Sequence, residues 1–337
     1  MSRLQRRLAI AALMPTIEPA VTSAQIELES ALRGRAARRV RTWLRRMEPV
    51  VVGTPRWSRP EHFFEALALD LALGEPAIGC RTVSFRGMKG RPLPVVWQFI
   101  IHVFGQLGRR GWDSQRPYTI ADRRGFRFAL REQLEQAHLE VPHRVALLGH
   151  GAEHLPVEVV EDISAVWEEY DEAHPDGRRC VLLMAGSVQA DWLRIGRAPR
   201  VELVDYAEDE AARALVGRAG DMPLRQVEAV ARFTGGVPEL VESIGAVGRF
   251  AGRLPVRPDE LLMCLGRIGD ELRGAIDIAI ADDAAADRLH ELLDGEPRLE
   301  VPSVDQSLWM AGLVRRVHSS TDCMVVLRAP ALAAMVA

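Results

Sequence analysis

Apolar positions along the chain follow three successive rhythms. From residue 22 to 47 they recur every three or four residues (Leu28, Leu32, Ala36, Val40, Trp43, Leu44, Met47), which predicts one long helix capped by Ser23. Five short apolar runs follow, at 50–53, 81–85, 144–148, 180–185 and 201–204. Helical periodicity fills 61–73, 93–107, 123–139 and 157–173 between them. Continuous rather than alternating strands, separated by helices, predict a parallel sheet covered on both faces, a three-layer α/β fold. Beyond residue 205 the rhythm is helical only, at 208–219, 224–233 and 239–249, the last entered through Gly235-Gly236-Val237-Pro238. From about 255 come helical patterns near 259–268 and 284–293, a Gly312-Leu313 turn, and two strands flanking the polar loop 318–322. That order predicts a small C-terminal winged helix. The expected division is 1–48, an N-terminal helical segment; 49–205, the α/β core; 206–254, a helical lid; and 255–337.

The stretch 50–60 is the hinge of the reading. A buried strand ending in Gly53, a turn and a helix is the layout of a phosphate-binding loop, G-x-x-x-x-G-K-[ST], in which backbone N–H groups cradle phosphate, lysine reaches its far oxygens and a hydroxyl holds Mg²⁺. Here the segment reads G-T-P-R-W-S-R-P, so Ser58, Arg59 and Pro60 stand where the second glycine, the lysine and the hydroxyl residue belong. Arg59 can still grip a phosphate bidentately, whereas Pro60 removes an N–H donor from the helix start. Of the 43 Lys and Arg residues only Lys89 is a lysine. It follows a strand, but its Gly87-x-x-Gly90 setting is too short for the motif, and a solvated loop lysine is the plainer reading.

Composition narrows the classes. A net charge of −3 gives no bulk case for nucleic acid, yet Arg35, Arg38, Arg39, Arg41, Arg45 and Arg46 crowd one helix and form a candidate contact for phosphate backbones or an acidic partner. The plainer alternative is a solvated face beside a packed stripe. The acidic helix 157–172 reads as a solvated face, or as a dock for a basic element such as that helix in a second copy. Cys80, Cys180, Cys264 and Cys323 are scattered without paired spacing, which suits reduced thiols. Arg3, Arg6 and Arg7 ahead of the short apolar run 8–14 suggest an amphipathic helix rather than a leader, and no run reaches membrane-spanning length, so the expected location is cytoplasmic. The Arg-for-Lys and Ala bias suggests a GC-rich bacterial genome.

His150-Gly151-Ala152-Glu153-His154 matches H-x-x-E-H. Zinc chemistry needs both histidines on one helix face, whereas flanking glycines and Pro156 predict a loop, so no metal ligand is assigned. Arg315, Arg316 and His318 are candidate DNA contacts, opposed by the acidic stretch 282–300.

The order of elements, the Gly53 loop, the strand 181–187 ending in Ser187 and the Gly235–Pro238 turn resemble P-loop NTPases of the AAA+ and STAND (signal-transduction ATPase) kind, over roughly 49–249. The resemblance implies the fold, a lid whose Pro238 lies near an adenine, and Gly53, Arg59 and Pro238 as a vestigial nucleotide site. It also implies an apolar strand ending in Asp-Glu for Mg²⁺ and water; here Val145–Leu148 leads into Gly149-His150. The resulting expectation is a degenerate member with no catalytic residue, not an enzyme. It would be a regulatory or scaffolding subunit of a multi-protein assembly, defence and transposition being the family's settings. No cofactor is required, though ATP or ADP could bind without hydrolysis. Protein partners are expected, with a homo-oligomer or DNA as further partners and no membrane. The alternatives are an unorthodox ATPase using Arg59 or Lys89, and a DNA-binding adaptor using the arginine helix or the winged helix.

Overall fold

The computed structural model describes residues 34–336 apart from 75, 109–119, 121, 141–142, 176, 189, 191, 221, 256 and 319–321. The expected helix over 8–14 and the first part of that over 22–47, with Ser23, lie outside them, as does the side chain of Arg35. The chain forms two compact units. One contains the described residues up to Thr54 together with Pro60–Leu203; the other contains Pro55–Arg59 and Val204–Ala337.

The first unit is built on five strands, β1 (Val50–Thr54), β2 (Gly79–Ser84), β3 (Val145–His150), β4 (Cys180–Ser187) and β5 (Arg200–Glu202). They lie in the order β2-β3-β4-β1-β5, every pair parallel. A further helix, α1 (Gly34–Arg45), precedes β1; parallel pairing requires crossovers, and these carry α2 (Pro60–Leu73), α3 (Leu93–Gly105), α4 (Arg123–Glu140) and α5 (Val157–Ala173). The period-2 pleat divides the strand residues between two cores. Val51, Leu147, Leu182 and Met184 pack with α3, α4 and α5, whereas Val50, Val52, Ala146, Leu148, Val181 and Leu183 pack with α1 and α2. Both faces are covered, so the strands read as unbroken apolar runs, and the three-layer α/β expectation holds. β2 begins two residues earlier than expected and β5 one earlier.

At the amino end of β4, α4 and α5 bring together a titratable group. The His138 and His174 rings lie 3.9 Å apart, His138 Nδ1 is 2.9 Å from the Tyr170 hydroxyl, and Glu135 lies 3.5 Å from His174 Nε2. Burial, then the neighbouring His174 and Arg179 charges, hold His138 below its ordinary value of 6.5. A depressed histidine stabilises the fold fully above that ordinary value and progressively less as pH falls through it. The melting temperature should therefore fall between about pH 7 and about pH 5, and His138→Gln should flatten that part of the profile. An unchanged profile in the variant would show that other groups set it. Burial also pushes the Cys80 and Cys180 thiols up to about 12, which makes them inert at neutral pH.

In the second unit α6 (Glu208–Ala219), α7 (Leu224–Thr234) and α8 (Pro238–Ala251) pack together. Then follow α9 (Pro258–Met263), α10 (Arg267–Ile280), α11 (Asp283–Glu291), β6 (Arg298–Leu299), α12 (Pro302–Ala311), β7 (Val314–His318), β8 (Cys323–Leu327) and α13 (Pro330–Val336). The three strands form an antiparallel sheet in the order β6-β8-β7. The single helix expected near 259–268 is two helices, broken at Gly266 with φ +49°. β6 and α13 were not foreseen from the sequence. Arg288 secures this region, donating to buried Asp305 at 2.9 and 3.0 Å. Among the described residues no helix is long and apolar enough to cross a membrane.

Candidate functional site: the loop after the first strand

β1 ends at the carboxyl edge of the sheet with Thr54, whose hydroxyl donates to the Gly186 carbonyl of β4 at 2.9 Å. Gly53 suits close approach: a Cβ there would lie 3.2 Å from Val188 and 3.3 Å from Glu202. α2 then starts at Pro60, where proline is tolerated because the first-turn N–H has no helical partner. Glu61 in that turn favours the positive end of the helix and lies 3.6 Å from Arg86.

The residues between, 55–59, belong to the second unit. Trp57 is 7% exposed. Its indole N–H donates to Glu271 at 3.2 Å, its ring lies 4.7 Å from the Arg56 guanidinium and 5.8 Å from that of Arg328, and its carbonyl accepts from the Glu239 N–H at 3.2 Å. Arg59 Nε is 3.3 Å from Glu239 and 3.0 Å from Glu242, both on α8. Trp57 and Arg59 hold φ of +59° and +48°, a left-handed conformation that costs a non-glycine residue about 1 kcal/mol each. Those contacts are what sustain it.

Of the residues assigned to a nucleotide site, Arg59 and Pro238 are thus brought together. Pro238 is buried as the first residue of α8, one step before both the N–H that binds the Trp57 carbonyl and the Glu239 carboxylate that faces Arg59. Gly53 sits at the end of β1 in the first unit. Lys89 is exposed after a 3₁₀ turn beyond β2, the edge strand, which lies three strands or about 14 Å from β1.

At the end of β3, a Cβ on Gly149 would fall 2.4 Å from the Phe85 ring, so that position has no room for a carboxylate side chain. His150 is buried and stacked on Phe64 at 6.0 Å. Gly151 turns the chain at φ +75° into the 3₁₀ turn Ala152–His154, so the H-x-x-E-H residues are divided between a strand and a turn. Glu153, read from the sequence only as the acid of the H-x-x-E-H match, folds back and accepts from the Ser187 N–H at 3.2 Å, a contact that no spacing along the chain announces.

On α1, Arg38 and Arg39 are exposed and Arg41 pairs with Asp70; Arg46, in the turn just after it, is also exposed. Arg45 is half-buried, its guanidinium beside Gly74. Burial, then the charges of Arg45 and Arg38, push Arg41 below its ordinary value.

No protein-family model matches the chain, and no curated protein matches it. Among solved structures it is similar to the Walker-type ATPase PABY2304 of Pyrococcus abyssi, with a TM-score of 0.59 at 13% identity over 90% of this chain and 95% of that one. Cdc6p of Pyrobaculum aerophilum follows at 0.45 and 14%, covering 97% of each chain. A STAND protein with a tetratricopeptide repeat sensor from Pyrococcus horikoshii gives 0.43 and 13%, over 96% of this chain and 43% of that one. The parallel α/β core is therefore that of the P-loop NTPase fold. This corrects the expectation that the chain is not an enzyme: a solved structure similar to it in fold is an ATPase, and altered motif residues are no ground for setting catalysis aside.

Proposed function

We propose that the chain is a regulatory or scaffolding component of a multi-protein assembly, built on an ATPase-like core with a winged-helix-like end. The observation that carries this reading is the use of residues 55–59. Trp57 and Arg59 are engaged by Glu271, Glu239 and Glu242, so the loop that cradles phosphate in this fold acts here as a structural strap. The order helix–helix–strand–helix–strand–strand from α10 to β8 supports the winged-helix part.

The test is calorimetric titration of ATP and ADP, with and without Mg²⁺, into wild type and Arg59→Ala, with turnover measured on the same samples. A strap predicts that Arg59→Ala lowers the melting temperature slightly, by about 1 kcal/mol of stability at most for a partly exposed pair. Nucleotide affinity and turnover should stay at the wild-type level, whatever that level is. Loss of affinity or turnover in a variant that remains folded would overturn the reading.

A further inference from the structure

The amino edge of the parallel sheet collects arginines from segments far apart in sequence. Register places them: Val145 of β3 pairs with Cys180 of β4, and Leu183 of β4 pairs with Val50 of β1. Arg144 and Arg179 therefore precede adjacent strands at one level, and the Arg179 carbonyl accepts from the Val145 N–H at 2.8 Å. Arg45 and Arg46 lead into β1, the next strand over. Side chains tie the row together: Arg144 donates to the Arg45 carbonyl at 3.1 Å and Arg178 to the Met47 carbonyl at 3.5 Å, while Arg179 donates to the His138 carbonyl at 3.4 Å. Arg46, Arg144 and Arg179 are exposed, and Arg38 and Arg39 continue the row along α1.

Some of this charge is neutralised. Asp70 pairs with Arg41, Asp171 with Arg178 at 2.5 Å, Glu135 lies by His138 and His174 near Arg179, and Glu48 stands in the turn before β1. Arg38, Arg39, Arg45, Arg46, Arg144 and Arg179 exceed these acids, on a chain whose net charge is −3. Like charges at helical spacing, such as Arg38, Arg41 and Arg45, destabilise a helix by a few tenths of a kcal/mol per pair. A fold that keeps them adjacent has a use for an opposite charge there.

We propose that this edge is a binding surface for the phosphate backbone of duplex nucleic acid. The strand row spans two spacings, about 10 Å, and seven residues of α1 carry the charge about another 10 Å along the helix axis, enough for several phosphates. That exceeds what a single nucleotide needs. A surface made of guanidinium groups matches the fork geometry and the repeated charge of a phosphate backbone. Binding depends on charge and is independent of base sequence. The proposal goes beyond the regulatory reading and does not rest on it.

The test is fluorescence anisotropy of a labelled 30-base-pair duplex of arbitrary sequence with the full chain, from about 50 to about 200 mM salt. Contacts to four phosphates predict an affinity loss of about 100-fold over that range. Arg144→Gln with Arg179→Gln should weaken binding at low salt about tenfold and lower the logarithmic salt slope by about 1.8. Arg39→Gln with Arg46→Gln, which removes no side-chain hydrogen bond to a carbonyl, should do the same. It decides the matter if the first pair unfolds. Arg225→Gln with Arg232→Gln, in the second unit, should change nothing. No binding by wild type at 50 mM salt, or an unaltered slope in both edge pairs, overturns the proposal.

Discussion

Arg328→Met should lower the stability of the second unit by about 3–5 kcal/mol. Arg328 is 3% exposed and grips Asp205 with two N–H groups at 2.8 and 2.7 Å. Removing the guanidinium leaves that carboxylate buried without its cation, and an unpaired buried charge costs far more than an exposed pair contributes. The backbone of the same residue is also engaged, its N–H donating to the Leu313 carbonyl at 2.9 Å. Thermal melting should show a loss on the order of 10 °C. Replacing both partners, Arg328→Met with Asp205→Leu, should restore most of the loss, because no buried charge is then stranded. If the double variant is as unstable as the single one, packing around the pair and not the charge is what matters.

That pair also marks the limit of what the sequence could tell. The sheet was legible because a strand covered on both faces must be apolar throughout, and Val50–Thr54 and Cys180–Ser187 are. The covering helices were legible because one face of each meets that sheet. Partners across long separations were not legible: Arg59 and Glu242, Trp57 and Glu271, and Asp205 and Arg328 are joined by folding alone, with no spacing rule to announce them. Arg59 was therefore assigned by its place in a motif, as a phosphate ligand, when its structural neighbours are two glutamates. The sequence showed that Gly149-His150 replaced a pair of acids, but the physical reason, the Phe85 ring against Gly149, is a contact across 64 residues of chain. β6 is two residues long and defined by its pairing to β8. α10 was passed over because Gly269 and Gly274 dilute its pattern. The basic edge was half legible: α1 could be read directly, whereas Arg144 and Arg179 joined it only once the register was known.

The Gly235–Pro238 turn was noticed for its likeness to a lid motif, and the structure gives those glycines a mechanical reason. Gly235 ends α7 at φ +58°, and a Cβ there would lie 2.3 Å from the Arg328 carbonyl oxygen. Gly236, at φ +76°, is tighter: a Cβ would lie 1.9 Å from the Tyr206 carbonyl oxygen, while the Tyr206 N–H donates to the Gly236 carbonyl at 2.9 Å. Relief would require one backbone segment to move away from another, breaking that hydrogen bond beside buried Thr234, whose hydroxyl accepts from the Gly236 N–H at 3.3 Å. Gly236→Ala should therefore cost about 2–5 kcal/mol, from left-handed strain of about 1–2 and overpacking of about 1–3. Gly252→Ala separates the two contributions, since Gly252 is also left-handed, at φ +67°, but has nothing within 4 Å of its Cβ position. It should cost only the strain, about 1–2 kcal/mol. Urea unfolding of both variants measures the difference; equal losses would mean that the turn is held by backbone conformation alone and that the crossing at Tyr206 contributes nothing.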